Sequence, residues 1–135
     1  MKTKSNKMFV SAFQSGFTGD ANWINHNKAR EMLKREGVVF GEVKGCYKGK
    51  LEYAFILVSD SQQGHKDNFQ LAYSLGQLFN QESILEVHND DTAVLHYLGG
   101  DSVKLGQLVE VPSAEALASD SYTFEPVTGR YFVVK

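Results

Sequence analysis

One carboxylate of this chain stands among apolar residues. Alternate residues of a strand point to the same side, so Glu52 shares its face with Ala54, Ile56 and Val58. An ionised group in such surroundings is costly unless a partner meets it. Arg30 is the partner we expect, because a guanidinium can hold a carboxylate through two hydrogen bonds. Glu52 could then bind a ligand or transfer a proton, or it could form a structural ion pair or stand at an exposed strand end.

Two further residues complete the ligand site that we expect around Glu52. Tyr47 lies close to Glu52 in the predicted hairpin, and Gln81 stands where a mostly buried helix passes into an apolar strand. Polar groups at such a junction either project into a cleft or cap backbone groups. The predicted ligand-binding residues are Glu52, Arg30, Tyr47 and Gln81.

Histidine and cysteine chemistry is not favoured by the spacing. His88 and His96 are separated by about 13 Å along paired strands, whereas zinc holds each ligand nitrogen at about 2.1 Å. Cys46 could act as a thiolate, but nothing in the sequence brings a histidine to it. We therefore predict no metal site and no catalytic residue, and we find no cofactor motif.

A hairpin must hold Glu52 in place. If Lys48 and Gly49 are its loop residues, Gly45 lies opposite Glu52 and leaves an open spot beside the carboxylate. A second hairpin is expected around residues 89–91, with the face that carries Glu86 and His96 either wet or in contact with a partner.

Helices and further strands are predicted on either side of these hairpins. Asn25 is a good N-cap for a short helix that stops at Gly37, and Asp67 with Gln70 resembles a capping box that opens a longer helix reaching Phe79. Strands are expected over 8–13, 38–58 as a hairpin, 83–88, 92–97, 103–111, 122–125 and 130–134, with a short helix over 114–118.

These elements predict a single-domain α+β fold. We expect a mostly antiparallel twisted sheet with two main helices packed on it. The domain spans residues 1–135, with residues 1–7 flexible, and a chain of this length can bury one core without disulfides or metal.

Composition and charge exclude several classes of function. The hydrophobic share of 42%, the charged share of 22% and the net charge of −2 are ordinary, so there is no basic surplus to attract nucleic acid or anionic membranes. The apolar run 8–13 is too short for a secretion signal, and no run could span a bilayer. A single cysteine fits the reducing cytoplasm.

Three segments resemble small bacterial and phage proteins of a domain family of unknown function. They are residues 27–33 with Arg30, residues 45–52 leading into 55–58, and the helix that runs into 81–85, about half of the chain. The resemblance suggests a phage accessory or bacterial orphan protein and implies no activity.

The sequence favours a non-catalytic binding protein. We expect a soluble accessory factor that contacts a host protein or captures a small polar ligand, without a cofactor. Two alternatives remain open: a small enzyme with Glu52 as general base, and a structural or homo-oligomeric protein that uses the face around Glu86 and His96.

Overall fold

A computed structural model of the chain describes residues 5–14, 16–47 and 49–135, without the side chain of Tyr47. Its helices and strands follow one another as β1 (Asn6–Ser11), α1 (Gly19–Glu36), β2 (Phe40–Tyr47), β3 (Lys50–Ser59), α2 (Gln62–Leu78), β4 (Ser83–Val87), β5 (Thr92–Tyr97), β6 (Ser102–Val111), α3 (Ser113–Leu117), β7 (Tyr122–Glu125) and β8 (Arg130–Val134).

The described strands form a closed antiparallel barrel of eight strands, in the order β1-β3-β2-β7-β8-β6-β5-β4. The barrel closes where β1 pairs with β4, with Lys7 opposite Val87. The prediction of a mostly antiparallel sheet in an α+β fold is confirmed. The predicted twisted sheet is a coarser description, because the sheet closes into a barrel. The pairing of β7 with β2 joins strands that are far apart in sequence, so it could not be read from local patterns.

The strands that α2 covers, β1, β3 and β4, present one face to that helix and the other to the interior of the barrel. On β3, Phe55 and Leu57 are fully buried against the helices, whereas Glu52 and Ala54 line the interior. The main core therefore lies outside the barrel, between its wall and α1 and α2. Its largest fully buried members include Phe55, Met8, Leu33, Leu57, Leu75 and Ile84.

Helix α1 begins earlier than predicted. Its N-cap is Thr18, whose hydroxyl accepts a hydrogen bond from the backbone N–H of Ala21, so Asn25 lies inside the helix and the predicted N-cap was wrong. The predicted stop is confirmed, because Gly37 adopts the left-handed conformation with a φ of 69° that favours glycine.

Helix α2 also begins earlier than predicted, with an N-cap six residues before Asp67. The hydroxyl of Ser61 accepts from the N–H of Gly64 and serves as the N-cap, so Asp67 and Gln70 are helical residues. This earlier start adds His65 to the first turns of α2, where it faces the barrel wall.

The other predicted elements agree closely with the structure. The hairpin β7–β8 has the predicted bounds, and β4 pairs with β5 in the expected register, with Leu85 opposite Leu95. Residues 1–4 of the predicted flexible segment 1–7 lie outside the described residues, whereas Asn6 and Lys7 belong to β1. No helix in the described part of the chain is both long enough and apolar enough to cross a membrane.

Candidate functional site

The barrel has a cavity at the mouth where β3, β4 and β7 begin. We call it the Glu52 cavity; its volume is about 800 Å³, within the range of roughly 300–1,000 Å³ that small-molecule sites occupy. Phe9, Val43 and Phe132 line its inner end and also line a second cavity of about 780 Å³ toward the opposite mouth. Lys7, Glu125 and Arg130 line that second space, which we call the Arg130 cavity.

Glu52 projects from β3 into the first of these cavities. It makes no hydrogen bond or ion pair with any other residue that the structure describes. Burial raises the pKa of Glu52, and the charge of Lys50 opposes that shift. An unpartnered, partly buried carboxylate of this kind favours a cationic ligand.

The open space beside Glu52 lies opposite the carboxylate, on β2, where the predicted hairpin register placed it. Gly45 lies opposite Glu52 and Val43 opposite Ala54, so this prediction is confirmed. A Cβ atom added at Gly45 would lie 3.7 Å from the carbonyl oxygen of Tyr122, an ordinary van der Waals distance. Glycine at position 45 therefore leaves room in the cavity, and it is not required there by a close backbone contact.

Arg30 does not accompany Glu52. It lies on α1, outside the barrel, where its Nε and Nη2 atoms donate to the two carboxylate oxygens of Glu42 at 3.0 and 2.6 Å. His26 Nε2 completes this cluster at 2.7 Å from Glu42 Oε1. The predicted Arg30–Glu52 ion pair was wrong because Glu42 and Glu52 are on opposite faces of the β2–β3 hairpin.

The Glu42 cluster has the electrostatics of a structural ion pair. Hydrogen bonds from Arg30, outweighing partial burial, lower the pKa of Glu42. Burial lowers the pKa of His26, whose ring is fully buried and stacks on Phe55 at 4.3 Å between ring centroids. These contacts fasten α1 to the barrel.

Gln81 does line the Glu52 cavity. Its amide nitrogen donates to the carbonyl oxygen of Phe13 at 2.8 Å, so the side chain is fixed at the mouth. Tyr47 ends β2 opposite Lys50, and its side chain lies outside the described part of the structure. Of the four predicted ligand-binding residues, the structure brings Glu52 and Gln81 to one cavity and Arg30 to another place.

Several cavity residues were missed by sequence reasoning. Among the described residues that line the cavity, the acidic ones are Glu52, Glu82 and Asp120, and the basic one is Lys50. Glu82 adjoins Gln81 and could have been found at the same helix–strand junction. Asp120 had no sequence signal, because only closure of the barrel brings the segment before β7 to this mouth.

A second carboxylate cluster lies outside the barrel beneath α2. Glu86 Oε2 is 2.6 Å from His65 Nε2, and Glu86 Oε1 is 2.8 Å from His96 Nε2 and 3.5 Å from His88 Nε2. The predicted separation of His88 and His96 was therefore wrong for the ring nitrogens, which both turn toward Glu86. The prediction that this strand face is wet or meets a partner was wrong for Glu86 and His96, which α2 covers, with Phe69 of α2 against His96 at 4.8 Å; the side chain of His88 remains 42% exposed.

A barrel with a polar, aromatic-lined cavity is typical of a protein that binds a small molecule. Residues 8–135 match the model of the S-adenosylmethionine lyase family, and the chain belongs to that family. No curated protein matches the chain.

Several solved structures are similar to the chain, and two of them are phage enzymes. One is a phage S-adenosylmethionine lyase in complex with S-methyl-5'-thioadenosine, which is 20% identical, with 74% of this chain and 88% of that chain covered and a TM-score of 0.37. The other is a phage S-adenosylmethionine lyase in the apo state, with 20% identity, coverage of 74% and 87%, and a TM-score of 0.34. The family assignment depends on the sequence match and not on these superpositions.

The family assignment corrects two predictions. A non-catalytic binding or accessory protein was the wrong class, because the family is one of lyases, which are enzymes. The resemblance to a family of unknown function was right only in part, because the family that the chain belongs to is named for an activity.

Proposed function

We propose that this protein is a lyase that cleaves S-adenosylmethionine and releases S-methyl-5'-thioadenosine. The observation that carries the proposal is the family match over residues 8–135. One of the two phage lyases is in complex with S-methyl-5'-thioadenosine, and we take this molecule as the expected product. The substrate is the small polar ligand expected from the sequence, and no host protein is needed for the reaction.

The charge of the Glu52 cavity supports a cationic substrate. S-adenosylmethionine carries a sulfonium, an ammonium and a carboxylate, so it has one net positive charge. The described lining has three acidic residues, Glu52, Glu82 and Asp120, and one basic residue, Lys50. A cation that enters this cavity gains from the field of the carboxylates and offsets the cost of burying Glu52.

The shape of the lining also fits the rest of the substrate. Phe9, Phe13 and Phe132 line the cavity, and aromatic rings pack against adenine faces or against a sulfonium. Lys50 stands at the mouth, where its ammonium can attract the carboxylate of the methionine part. We therefore place the substrate inside the barrel with its charged end near Glu52 and Lys50.

The reaction needs little chemistry from the protein. The bond between sulfur and the γ-carbon of the methionine part breaks, and sulfur keeps the electron pair and becomes a neutral thioether. The carboxylate oxygen of the same substrate forms a bond to that carbon and closes a lactone. No water is consumed and no proton moves, so holding the chain in a bent, reactive shape accounts for catalysis.

Glu52 has a substrate-binding role in this scheme. It holds a cationic group of S-adenosylmethionine and orients the four-carbon chain, with Gln81 fixed beside it at the mouth. Tyr47 stays a predicted member of the site, whereas Arg30 belongs to the Glu42 cluster. The single cysteine, which cannot form an internal disulfide, is compatible with the cytoplasm as the place of reaction.

The test is direct incubation of the purified chain with S-adenosylmethionine. We expect S-methyl-5'-thioadenosine by mass spectrometry, together with a lactone identified by NMR. A substrate deuterated at the β-carbon distinguishes this displacement from an elimination across the β- and γ-carbons. The displacement retains both deuterons, whereas the elimination loses one. Absence of the thioadenosine product from folded protein would overturn the proposed function.

A pair of variants tests the site. Glu52→Gln should lower kcat/KM by about 10- to 100-fold, mostly through KM, since a hydrogen bond to a charged group contributes about 1.5–3 kcal/mol. Glu125→Gln is the matched control at the opposite mouth and should behave like wild type. Equal activity of Glu52→Gln and wild type would remove the Glu52 cavity from the proposal and leave the lyase activity standing.

A further inference from the structure

The Glu86 cluster differs from the Glu42 cluster because its ion-pair partners in the described part of the chain are histidines, with no lysine or arginine among them. The side chains of Glu86 and His65 are each only 12% exposed. Within the described ranges, histidines are the only partners at ion-pair distance from Glu86. The Glu86 carboxylate is therefore surrounded by imidazole nitrogens, which are metal ligands as well as hydrogen-bond partners.

Three of these side chains converge from two segments of the chain, the start of α2 and the end of β4 with the turn that follows it. His65 comes from α2, Glu86 from β4, and His88 from the turn that follows β4. One ligand atom from each of the three lies within 4.8 Å of the other two. Imidazole nitrogen and carboxylate oxygen are the donors that a borderline divalent ion such as Zn²⁺ accepts.

We propose that His65, Glu86 and His88 form a binding site for a divalent transition-metal ion, with Zn²⁺ as the best fit. Two ligand atoms on a tetrahedral zinc ion are roughly 3.4 Å apart, given bond lengths of about 2.1 Å. The pairs that Glu86 forms with His65 and His88 are 2.6 and 3.5 Å apart, so small side-chain movements suffice. The ion takes the place of the hydrogen between His65 Nε2 and Glu86, and that proton moves to His65 Nδ1 or is released to solvent.

The surroundings of the triad suit a metal site. The backbone of His88 is fixed in a tight turn, because its N–H donates to Thr92 O and its carbonyl oxygen accepts from Asp91 N–H. The side chain of His88 is 42% exposed, which provides an entry path and room for a water ligand. His96, whose Nδ1 lies 2.7 Å from Ser102 Oγ, supports Glu86 from the side.

This site is separate from the Glu52 cavity. The triad lies on the outer face of the barrel wall, beneath α2, whereas Glu52 faces the interior. A bound ion would tie the start of α2 to the β4–β5 hairpin. Its expected effect is on the stability of the fold, and the proposal does not depend on the lyase activity.

The test is a calorimetric titration of untagged, metal-stripped protein with zinc chloride. Wild type should bind one ion per chain, and zinc should raise its melting temperature. His88→Gln should weaken zinc binding by about 100-fold and remove the thermal shift, since even supporting residues of metal sites cost 10- to 100-fold when lost. His88 is partly exposed, so this variant should fold normally.

A second variant and a control make the result decisive. Glu86→Gln keeps the shape of the carboxylate but removes its charge, and it should also weaken binding by more than tenfold. Asp90→Asn is the matched control, because it removes an exposed negative charge next to His88 without touching the triad. Equal affinity of His88→Gln and wild type, or no binding by wild type at micromolar zinc, would overturn the proposal.

Discussion

Glu42 and Glu52 lie on opposite faces of the β2–β3 hairpin. Glu42 is on the outer face, where Arg30 and His26 occupy both of its oxygens. Glu52 is on the inner face, opposite Gly45, and makes no polar contact with the described residues. The pKa of Glu42 is lowered chiefly by the hydrogen bonds from Arg30, and the pKa of Glu52 is raised by burial.

The difference shows that two carboxylates on one hairpin can serve opposite purposes. Glu42 has its partners in the folded chain and stabilises the packing of α1 on the barrel. Glu52 has no such partner among the described residues, so its burial carries a cost that the proposed cationic substrate would offset. Variants that change only one of the two environments can sharpen or break this distinction.

The largest effect on stability is expected when the Glu42 cluster loses its guanidinium. Arg30→Met keeps an apolar side chain at this position of α1 but removes the guanidinium, which leaves His26 as the partner of Glu42. We expect a loss of about 1–2 kcal/mol in the free energy of unfolding, less than for a fully buried pair because Arg30 and Glu42 are 27% and 38% exposed. Chemical denaturation measures this loss, and the lyase activity of the folded fraction should be unchanged.

Arg35→Met provides the matched control for that variant. Arg35 lies exposed in the last turn of the same helix and should cost less than about 0.5 kcal/mol. If both variants lose the same stability, the Glu42 cluster is not what fastens α1. A loss of activity in folded Arg30→Met would return Arg30 to the substrate site.

The space beside Glu52 can be closed without touching its carboxylate. Gly45→Val fills the open spot with a residue that favours strands, and the nearest backbone atom to the new Cβ is at 3.7 Å, so the fold should persist. We expect kcat/KM to fall about tenfold, with KM raised, since about 1.4 kcal/mol of substrate binding would be lost.

Lys44→Val is the control for this change, because Lys44 precedes Gly45 on β2 but points to the outer face. Its activity should match wild type. If Gly45→Val binds the substrate as well as wild type does, the substrate does not enter the barrel at Glu52. Circular dichroism of both variants would confirm that the hairpin is kept.

Local patterns predicted the hairpins but not the closed barrel. The Gly45–Glu52 register and the bounds of β7 and β8 follow from alternation and turn residues, which act over a few positions. Both main helices begin earlier than predicted, because Thr18 and Ser61 were not recognised as caps. Pairing of β2 with β7 joins strands far apart in sequence, and no local signal determines it.

The same limit explains what was missed in the candidate site. Glu52 and Gln81 could be found because each breaks a local apolar pattern. Arg30 was assigned to the wrong carboxylate because Glu42 alternates with Lys44 and Cys46 on one face of β2, a pattern that is typical of an exposed face and does not indicate a buried partner. His65 joins Glu86 only through the docking of α2 on the barrel, which the sequence does not specify residue by residue.

The smallest expected effect is on the free energy of unfolding, which Glu52→Gln and Glu42→Gln should change in opposite directions. A raised pKa means that the folded state binds the proton of Glu52 more tightly, so ionised Glu52 costs stability above its folded pKa. Glu52→Gln should therefore be more stable than wild type at neutral pH, by less than about 1 kcal/mol, and the gain should vanish below the ordinary value of 4.5. Glu42→Gln should instead be less stable at neutral pH, and its deficit should shrink as the pH falls from 4.5 through the lowered pKa of Glu42. Urea titrations of the three proteins across this pH range measure both gaps, and gaps of the same sign would mean that the two carboxylates do not differ as their surroundings require.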